Sequence, residues 1–208
     1  MIGFGKRMII VSRNHMTLSP YHQKYAGYPD EEIWIRADVK ESELKMIFEY
    51  APLKTESAVV KVAVMGSGDR RFVQHHERIF TELLGKRVEV TTFNITTEHL
   101  EGEDRAILHD CTKSLPGMPY DITYSHVLLK FIETEKQWDV IMNSYAALSE
   151  GGLAIHVFDS SDYETEEKLQ SDGYFSVPLV QYENRLKALG IEFVEVPVRY
   201  GKALVLKK

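Results

Sequence analysis

The chain has 208 residues, of which 44% are hydrophobic and 27% charged, as in ordinary folded domains and unlike disordered chains. Its 25 Lys and Arg residues against 31 Asp and Glu leave a formal net charge of −6, with no basic block. An extended nucleic-acid partner is therefore not expected, and only a short local contact stays open.

Membrane and disulfide signals are also missing from the sequence. No apolar run approaches the ~20 residues of a membrane span. The single cysteine, Cys111, cannot form an intrachain disulfide, and no Cys/His spacing suits zinc. We expect a cytoplasmic protein that does not contact a membrane.

The chain changes character near residue 57, and we divide it there. Residues 1–56 are predicted to be an N-terminal extension, irregular and rich in aromatic residues, with a short helix that carries Leu44, Ile47 and Phe48 on one face. Residues 57–208 alternate strand-like and helix-like segments, which predicts a parallel sheet with right-handed crossovers and helices on both faces.

Short apolar or β-branched runs predict five strands in this alternating part. They cover 60–65, 88–93, 105–109, 120–125 and 153–158. Helical spacing of apolar residues predicts helices from Phe72 to Leu83, ended by Gly85, from Trp138 to Leu148, ended by Gly151 and Gly152, and from Pro178 to Leu189, ended by Gly190.

The C-terminus departs from the alternation. Segments 191–196 and 203–206 both resemble strands, and only residues 197–202 separate them. A parallel crossover needs about a dozen residues or more, so the last strand is expected to run antiparallel to its neighbour. The predicted fold class is α/β: a doubly wound, mostly parallel seven-stranded sheet with an antiparallel C-terminal strand.

Ligands of open α/β sheets bind beyond the carboxyl ends of the strands, so residues there are the first site candidates. Gly66-Ser67-Gly68-Asp69 follows the first strand. Its glycines either let the backbone approach a ligand at a helix N-terminus or serve a tight turn alone. Arg71 replaces the third glycine of the dinucleotide fingerprint. Arg70 and Arg71 either clamp an anion or point to solvent.

Polar residues follow the next two strands as well. Asn94, followed by Ile95, stands where nucleotide-binding domains normally hold an acid for the ribose, or it only starts a turn. Asp110, followed by Cys111, either accepts a hydrogen bond from an adenine amino group or begins a loop.

The last two parallel strands end in further polar groups. Ser125 and His126 would line the floor of the cleft, and His126 is either a base or a structural histidine. Segment 159–163 either adds acids to the rim or is a solvated loop. The pair His75-His76 lies in a helix, where successive side chains point about 100° apart, so we predict no metal site.

The order VAVMGSGD, VTTFN, ILHD, YDITYSHVLLKFI, LSEGGLAIHVF and the terminal hairpin resembles class I (Rossmann-like) S-adenosylmethionine-dependent methyltransferases over about residues 59–208. The resemblance implies S-adenosylmethionine as cofactor. It places Gly66, Ser67 and Gly68 near the methionine part, Asn94 and Ile95 at the ribose, Asp110 and Cys111 at the adenine, and Ser125 and His126 beside the sulfonium. The glycine motif is shortened and an acid is replaced by Asn94, for which Asp69 would supply a compensating carboxylate.

Methyl transfer to an unidentified acceptor follows from this resemblance, and we expect a small-molecule substrate. Residues 1–56 either cap the cleft or pack on the sheet or on a second subunit. Candidate bases are His126 and Tyr124 by location, and Tyr21 and His22 by placement in a cap. The alternatives are a methyltransferase-like interaction module without catalysis and, less favoured, a nicotinamide-dependent oxidoreductase. The oligomeric state is not predicted.

Overall fold

The computed structural model describes residues 26–159, 169 and 173–208. Its helices are α1 (Asp30–Tyr50), α2 (Arg71–Leu84), α3 (Thr134–Ala146) and α4 (Leu179–Ala188). Its strands are β1 (Val59–Met65), β2 (Arg87–Asn94), β3 (Ala106–Leu108), β4 (Tyr120–His126), β5 (Leu148–Asp159), β6 (Glu192–Val198) and β7 (Gly201–Lys207). None of the described helices is both long enough and apolar enough to cross a membrane.

The seven strands form one sheet in the order β3-β2-β1-β4-β5-β7-β6. Strands β1 to β5 pair in parallel, and β7 runs antiparallel to both β5 and β6, which confirms the predicted fold class. The strand order reverses between β1 and β4. Met65 pairs with Phe93 on one side and with Ser125 on the other. The segments that follow β1, β2 and β4 therefore emerge together at one edge of the sheet.

Side chains of β1 alternate between two hydrophobic layers. Val62 and Val64 pack with residues of α1 and α2, whereas Ala63 and Met65 pack with residues of α3 and α4. This period of two is what a strand buried on both faces requires. The apolar run from residue 60 to 65 predicted β1 for the same reason.

Helix α1 is much longer than the short helix predicted from the sequence. It spans 21 residues and begins with three acids, Asp30, Glu31 and Glu32, that suit the positive end of a helix. The prediction of an irregular segment with only a short helix around Leu44 to Phe48 is therefore wrong for residues 30–50. The signal was weak because the buried face of α1 includes the acid Glu43 as well as apolar residues such as Leu44.

The helix also belongs to the main core, because Ala37, Leu44 and Ile47 are fully buried in the layer that contains α2. The described part of residues 1–56 thus packs on the sheet, which was one of the two alternatives. The polar residues of α1 show whether the helix also borders a cleft.

Strand β5 begins five residues earlier than predicted, at Leu148. Tyr120 pairs with Leu148 but Ile122 pairs with Leu153, so the strand bulges at Gly151 and Gly152. Gly151 has φ +77°, and a Cβ there would lie 2.1 Å from the carbonyl oxygen of Lys54. These glycines do not end a helix, as predicted, but shape a bulge against the chain that precedes β1.

Candidate functional site

A cavity of about 1690 Å³ opens at the carboxyl ends of β1, β2 and β4 and is bounded on one side by α1. Ligand pockets usually measure about 300–1,000 Å³, so this one has room for two small molecules side by side. Among the ten predicted cofactor-binding residues, eight line it: Gly66, Ser67, Gly68, Asn94, Ile95, Asp110, Cys111 and His126. Asp69 and Ser125 do not.

The glycine loop after β1 combines a steric requirement with free donors. Gly66 has φ +81°, and a Cβ on it would lie 2.9 Å from Leu128 Cδ1. Glycine at this position is therefore explained by the turn and by Leu128 without any ligand. Among the described residues, none accepts a hydrogen bond from the backbone N–H of Ser67 or of Gly68. The loop thus offers two unused donors beside the cavity.

Asn94 is tied to this glycine loop. Its Nδ2 donates a hydrogen bond of 2.8 Å to the Ser67 carbonyl oxygen, which also lies 2.7 Å from His99 Nε2. Its Oδ1 accepts a weak hydrogen bond of 3.2 Å from the backbone N–H of Ile95. The side chain therefore holds the loop in place, and only Oδ1 remains to accept a further bond from a ligand.

Asp110 and Cys111 present an acceptor and a donor next to each other. Asp110 Oδ1 accepts hydrogen bonds from the N–H and hydroxyl of Thr112 at 2.9 and 2.8 Å, and these bonds lower the pKa of Asp110. Among the described residues, neither Asp110 Oδ2 nor the Cys111 N–H has a partner. This pair complements the edge of an adenine ring, where an amino group stands beside a ring nitrogen.

Asp69 points away from the cavity and is saturated by Arg71. Its Oδ1 accepts from the Arg71 backbone N–H and Nε at 2.8 and 2.9 Å, and its Oδ2 accepts from Nη2 at 2.8 Å. Burial alone would raise the pKa of Asp69, but the bonds from Arg71 outweigh it and lower that pKa. Asp69 therefore does not supply the compensating carboxylate that we expected.

Arg71 follows neither of the two alternatives considered for it. Besides Asp69, it donates to the carbonyl oxygen of Tyr28 at 2.9 Å and to Asp30 Oδ1 at 2.7 Å. It neither clamps an anion in the cavity nor points free into solvent. Its role in this fold is to fasten the start of α1 to the glycine loop.

Ser125 lies beneath the cavity rather than on its floor. Its hydroxyl lies 2.9 Å from His156 Nδ1, and the hydroxyl of Ser144 lies 2.9 Å from His156 Nε2. All three side chains are buried, and burial lowers the pKa of His156 to about 4. The expectation that Ser125 faces a ligand is not supported, because its hydroxyl is used inside the core.

His126 lines the part of the cavity to which α1 contributes residues that were not predicted. Its Nε2 lies 3.0 Å from Oε2 of Glu43, an acid whose side chain is only 3% exposed. Tyr124, the second predicted base, is fully buried beside His126. The candidates Tyr21 and His22 lie outside the described residues.

The signal for these missed residues was present as a polar stripe on α1. Glu32, Arg36, Lys40 and Glu43 follow helical spacing and all line the cavity. A polar stripe of this kind usually marks a solvated helix face, so the sequence alone did not predict that these residues belong to a site. A second charged pair, Lys130 Nζ and Asp159 Oδ2 at 2.9 Å, lines the cavity near β5. No group of three or more metal-ligating residues exists within the described ranges.

Neither a protein-family model nor a curated protein sequence matches the chain. Solved structures are similar at low sequence identity. DesVI of Streptomyces venezuelae superposes with a TM-score of 0.63 at 11% identity, over 88% of this chain and 98% of DesVI. A TehB-like SAM-dependent methyltransferase from Corynebacterium glutamicum gives 0.56 at 14% identity, over 90% of this chain and 98% of that protein.

A third similar structure is a LepI variant solved in complex with SAH and a substrate analogue, with a TM-score of 0.56 at 10% identity. The match covers 77% of this chain but 46% of LepI, so the chain spans about half the length of that protein. The strand order, the terminal antiparallel hairpin and these superpositions agree with one another. The chain therefore has the Rossmann-like fold of the class I S-adenosylmethionine-dependent methyltransferases.

Proposed function

We propose that this protein is an S-adenosylmethionine-dependent methyltransferase that acts on a small molecule. The observation that carries the proposal is that the glycine loop, Asp110 and Cys111, and His126 all line one and the same cavity. The unpaired N–H groups of the glycine loop follow β1, and the pair of Asp110 and Cys111, which complements an adenine edge, follows β3. His126 stands at the end of β4. Such an arrangement at the switch point of a parallel sheet suits a nucleoside cofactor.

The residues present fit S-adenosylmethionine, with one weaker contact. Asp110 Oδ2 and the Cys111 N–H would hold the adenine edge, and the N–H groups of Ser67 and Gly68 would bind the carboxylate end. As an acceptor for a ribose hydroxyl, Asn94 offers its amide oxygen Oδ1, which is weaker than a carboxylate. When bound, the cofactor supplies a methyl group on an electrophilic sulfonium.

The chain itself has to hold and orient the acceptor and exclude water, because direct displacement depends mainly on alignment. Helix α1 contributes Lys40 and Glu43 to one wall of the cavity. A partly enclosed wall of this kind suits a small acceptor more than a polymer. The net charge of −6 also disfavours an extended polynucleotide.

Calorimetric titration with S-adenosylmethionine and S-adenosylhomocysteine tests the cofactor proposal. The full chain should bind both, and Asp110→Ala should bind each about tenfold more weakly, the loss of one good hydrogen bond. Asp104→Ala is the matched control, because Asp104 is exposed and does not line the cavity. Equal affinity of both variants would place the nucleoside elsewhere.

The alternative function is a methyltransferase-like module that binds partners without catalysis. It is favoured by Asn94, whose Nδ2 donates to the Ser67 carbonyl oxygen and lies 3.1 Å from His99 Nε2, and by the fact that one fold hosts many functions. Absence of any thermal shift at millimolar S-adenosylmethionine and S-adenosylhomocysteine supports this alternative. Saturable binding of NADH would instead support an oxidoreductase.

A further inference from the structure

Five polar side chains form an enclosed group at the α1 end of the cavity, which we name the α1 chamber: Lys40, Glu43, His76, Tyr124 and His126. They come from α1, α2 and β4, so only the folded chain brings them together. The rings of His76 and Tyr124 lie 5.7 Å apart, and those of Tyr124 and His126 lie 6.4 Å apart. The group is thus contiguous.

The pairing of His126 with Glu43 fixes the imidazole. A carboxylate only accepts hydrogen bonds, so the contact of 3.0 Å between Nε2 and Glu43 Oε2 places the ring proton on Nε2. Nδ1 then carries the lone pair, and it has no partner within the described part of the chain. The side chain of His126 is 24% exposed, so this nitrogen is accessible from the cavity.

The backbone conformation directly after His126 also indicates a functional site. Val127 has φ +57°, a left-handed conformation that is a genuine outlier for a β-branched residue. Such strain costs on the order of 1–3 kcal/mol and clusters at active sites and ligand clamps. Here the strained turn is what ends β4 with His126 at the cavity and sends Leu128 against Gly66.

Two further groups in the chamber lack partners. Neither ring nitrogen of His76 nor the hydroxyl of Tyr124 has a hydrogen-bond partner in the described ranges, although both residues are buried. An unsatisfied buried polar group costs roughly 1–3 kcal/mol, so native structures rarely keep several together. Both residues line the cavity, which places two unsatisfied polar side chains close to His126.

Burial, more than the charges around it, keeps the ring of His126 neutral and able to accept a proton. The titratable groups that face it are Lys40 and Glu43 of α1, His76 of α2, Tyr124 of β4 and Asp159 of β5. Burial and the cation of Lys40 lower the pKa of His126, and this outweighs the opposite effect of Glu43 and Asp159. Burial also lowers the pKa of Lys40 to about 7, so its charge is easily gained or lost.

Building on the proposed methyltransferase function, we infer that the α1 chamber binds an acceptor through a phenol-type hydroxyl and that His126, oriented by Glu43, is the base. The hydroxyl proton passes to Nδ1 of His126. The oxygen lone pair forms the new bond to the methyl carbon, while the carbon–sulfur bond breaks and its electron pair stays on sulfur. His126 afterwards releases its proton to water.

Other acceptor classes suit the chamber less well. A carboxylate needs no base and would be repelled by Glu43. An aliphatic alcohol is far too weak an acid for an imidazole, whereas a phenol with a pKa of about 10 is closer. Apolar side chains next to the chamber, those of Ile35, Val39 and Phe72, would cover the ring of such an acceptor.

Binding of phenol and of its methyl ether, anisole, to the full chain tests this inference without any cofactor. The phenol should bind about tenfold more tightly than the ether, because only the phenol donates to Nδ1. His126→Phe should bind both equally, with thermal unfolding used to verify that it folds. Glu41→Gln is the matched control on α1, because Glu41 pairs with Arg78 and does not line the cavity.

The role of Glu43 has its own spectroscopic readout. Nitrogen NMR of the free protein should show the His126 proton on Nε2, and Glu43→Gln should shift the ring toward a mixture of tautomers. Equal binding of phenol and ether, binding of neither, or a preference that survives His126→Phe would overturn the inference. An unchanged tautomer in Glu43→Gln would also overturn it. None of these results depends on S-adenosylmethionine, so they are independent of the Asp110→Ala titration.

Discussion

The side-chain amide of Asn94 donates a hydrogen bond of 2.8 Å to the carbonyl oxygen of Ser67, which joins the end of β2 to the glycine loop after β1. The same oxygen lies 2.7 Å from His99 Nε2. A carboxylate at this position could only accept hydrogen bonds and would face the carbonyl oxygen unfavourably. The departure from the acid usual in the resembled family therefore has a structural role here.

Replacing this amide by an acid, Asn94→Asp, should loosen the loop rather than improve cofactor binding. The lost donor leaves an acceptor facing an acceptor, which we expect to lower the free energy of unfolding by about 1–3 kcal/mol. Chemical denaturation measures that loss, and calorimetry with S-adenosylhomocysteine measures affinity. Asn184→Asp, an exposed position on α4, is the control. Unchanged stability together with tenfold tighter binding would contradict this explanation.

The sheet was predictable because its strands leave strong local signals. Parallel strands buried on both faces are mostly apolar runs, as in 60–65, where Lys61 is the one polar residue, and the short gap between 191–196 and 203–206 allowed only an antiparallel hairpin. Helix α1 was not predictable to the same degree. Its buried face includes Glu43, and Lys40 lies beside it. The spacing of the apolar residues alone therefore does not outline the buried face of this helix.

The position of the site at the strand ends was predictable, but the directions in which its side chains point were not. Strand ends pointed to Asp110 and His126, which do line the cavity, but the side chains of Asp69 and Ser125 turn to Arg71 and His156. Nothing local in the sequence decides between these directions. The partner of His126 is 83 positions away in the chain, on a helix whose length had been underestimated. Only tertiary packing creates that pair.

Gly66→Ala separates backbone strain from side-chain crowding when it is compared with Gly190→Ala. Both glycines have positive φ, +81° and +68°, but a Cβ on Gly190 has no neighbour within 4 Å. Gly190→Ala should cost about 1–2 kcal/mol from strain alone. Gly66→Ala should cost about 1 kcal/mol more, the low end of overpacking, because of its contact with Leu128.

Urea denaturation of the two variants measures this difference. Adding Leu128→Ala to Gly66→Ala should remove the crowding. Leu128→Ala should therefore change the free energy of unfolding of the Gly66→Ala variant by a different amount than it changes that of the parent chain. An equal cost for Gly66→Ala and Gly190→Ala would show that Leu128 rotates away freely and does not constrain the loop.

Cys111 should react slowly with alkylating reagents in the folded chain. Burial raises the pKa of its thiol from 9.0 to about 12, which lowers the thiolate fraction by a factor of about a thousand at mildly alkaline pH. It is the only cysteine, so iodoacetamide labelling followed by mass spectrometry reports a single event. S-adenosylhomocysteine should slow labelling further, and the urea-unfolded chain is the fast-reacting control. Labelling of the folded chain at the unfolded rate would contradict the buried geometry.

Acid should destabilise the fold through His156, which is held between the hydroxyls of Ser125 and Ser144. Burial lowers the pKa of His156 from 6.5 to about 4 in the folded chain. Above pH 6.5 the ring is neutral in both states, and its full contribution to stability is present. As the pH falls toward 4, only the unfolded chain binds the proton, so the free energy of unfolding decreases, by up to about 3 kcal/mol.

Urea denaturation at several pH values between 7 and about 4.5 measures this loss for the parent chain and for His156→Gln. The variant keeps a hydrogen-bonding side chain but cannot take up the proton, so its stability should fall less steeply with decreasing pH. His76, whose pKa is also lowered well below 6.5 by burial, contributes equally to both proteins and leaves the difference unaffected. Parallel stability curves for the two proteins would mean that His156 is not the buried group that titrates in the unfolded chain alone.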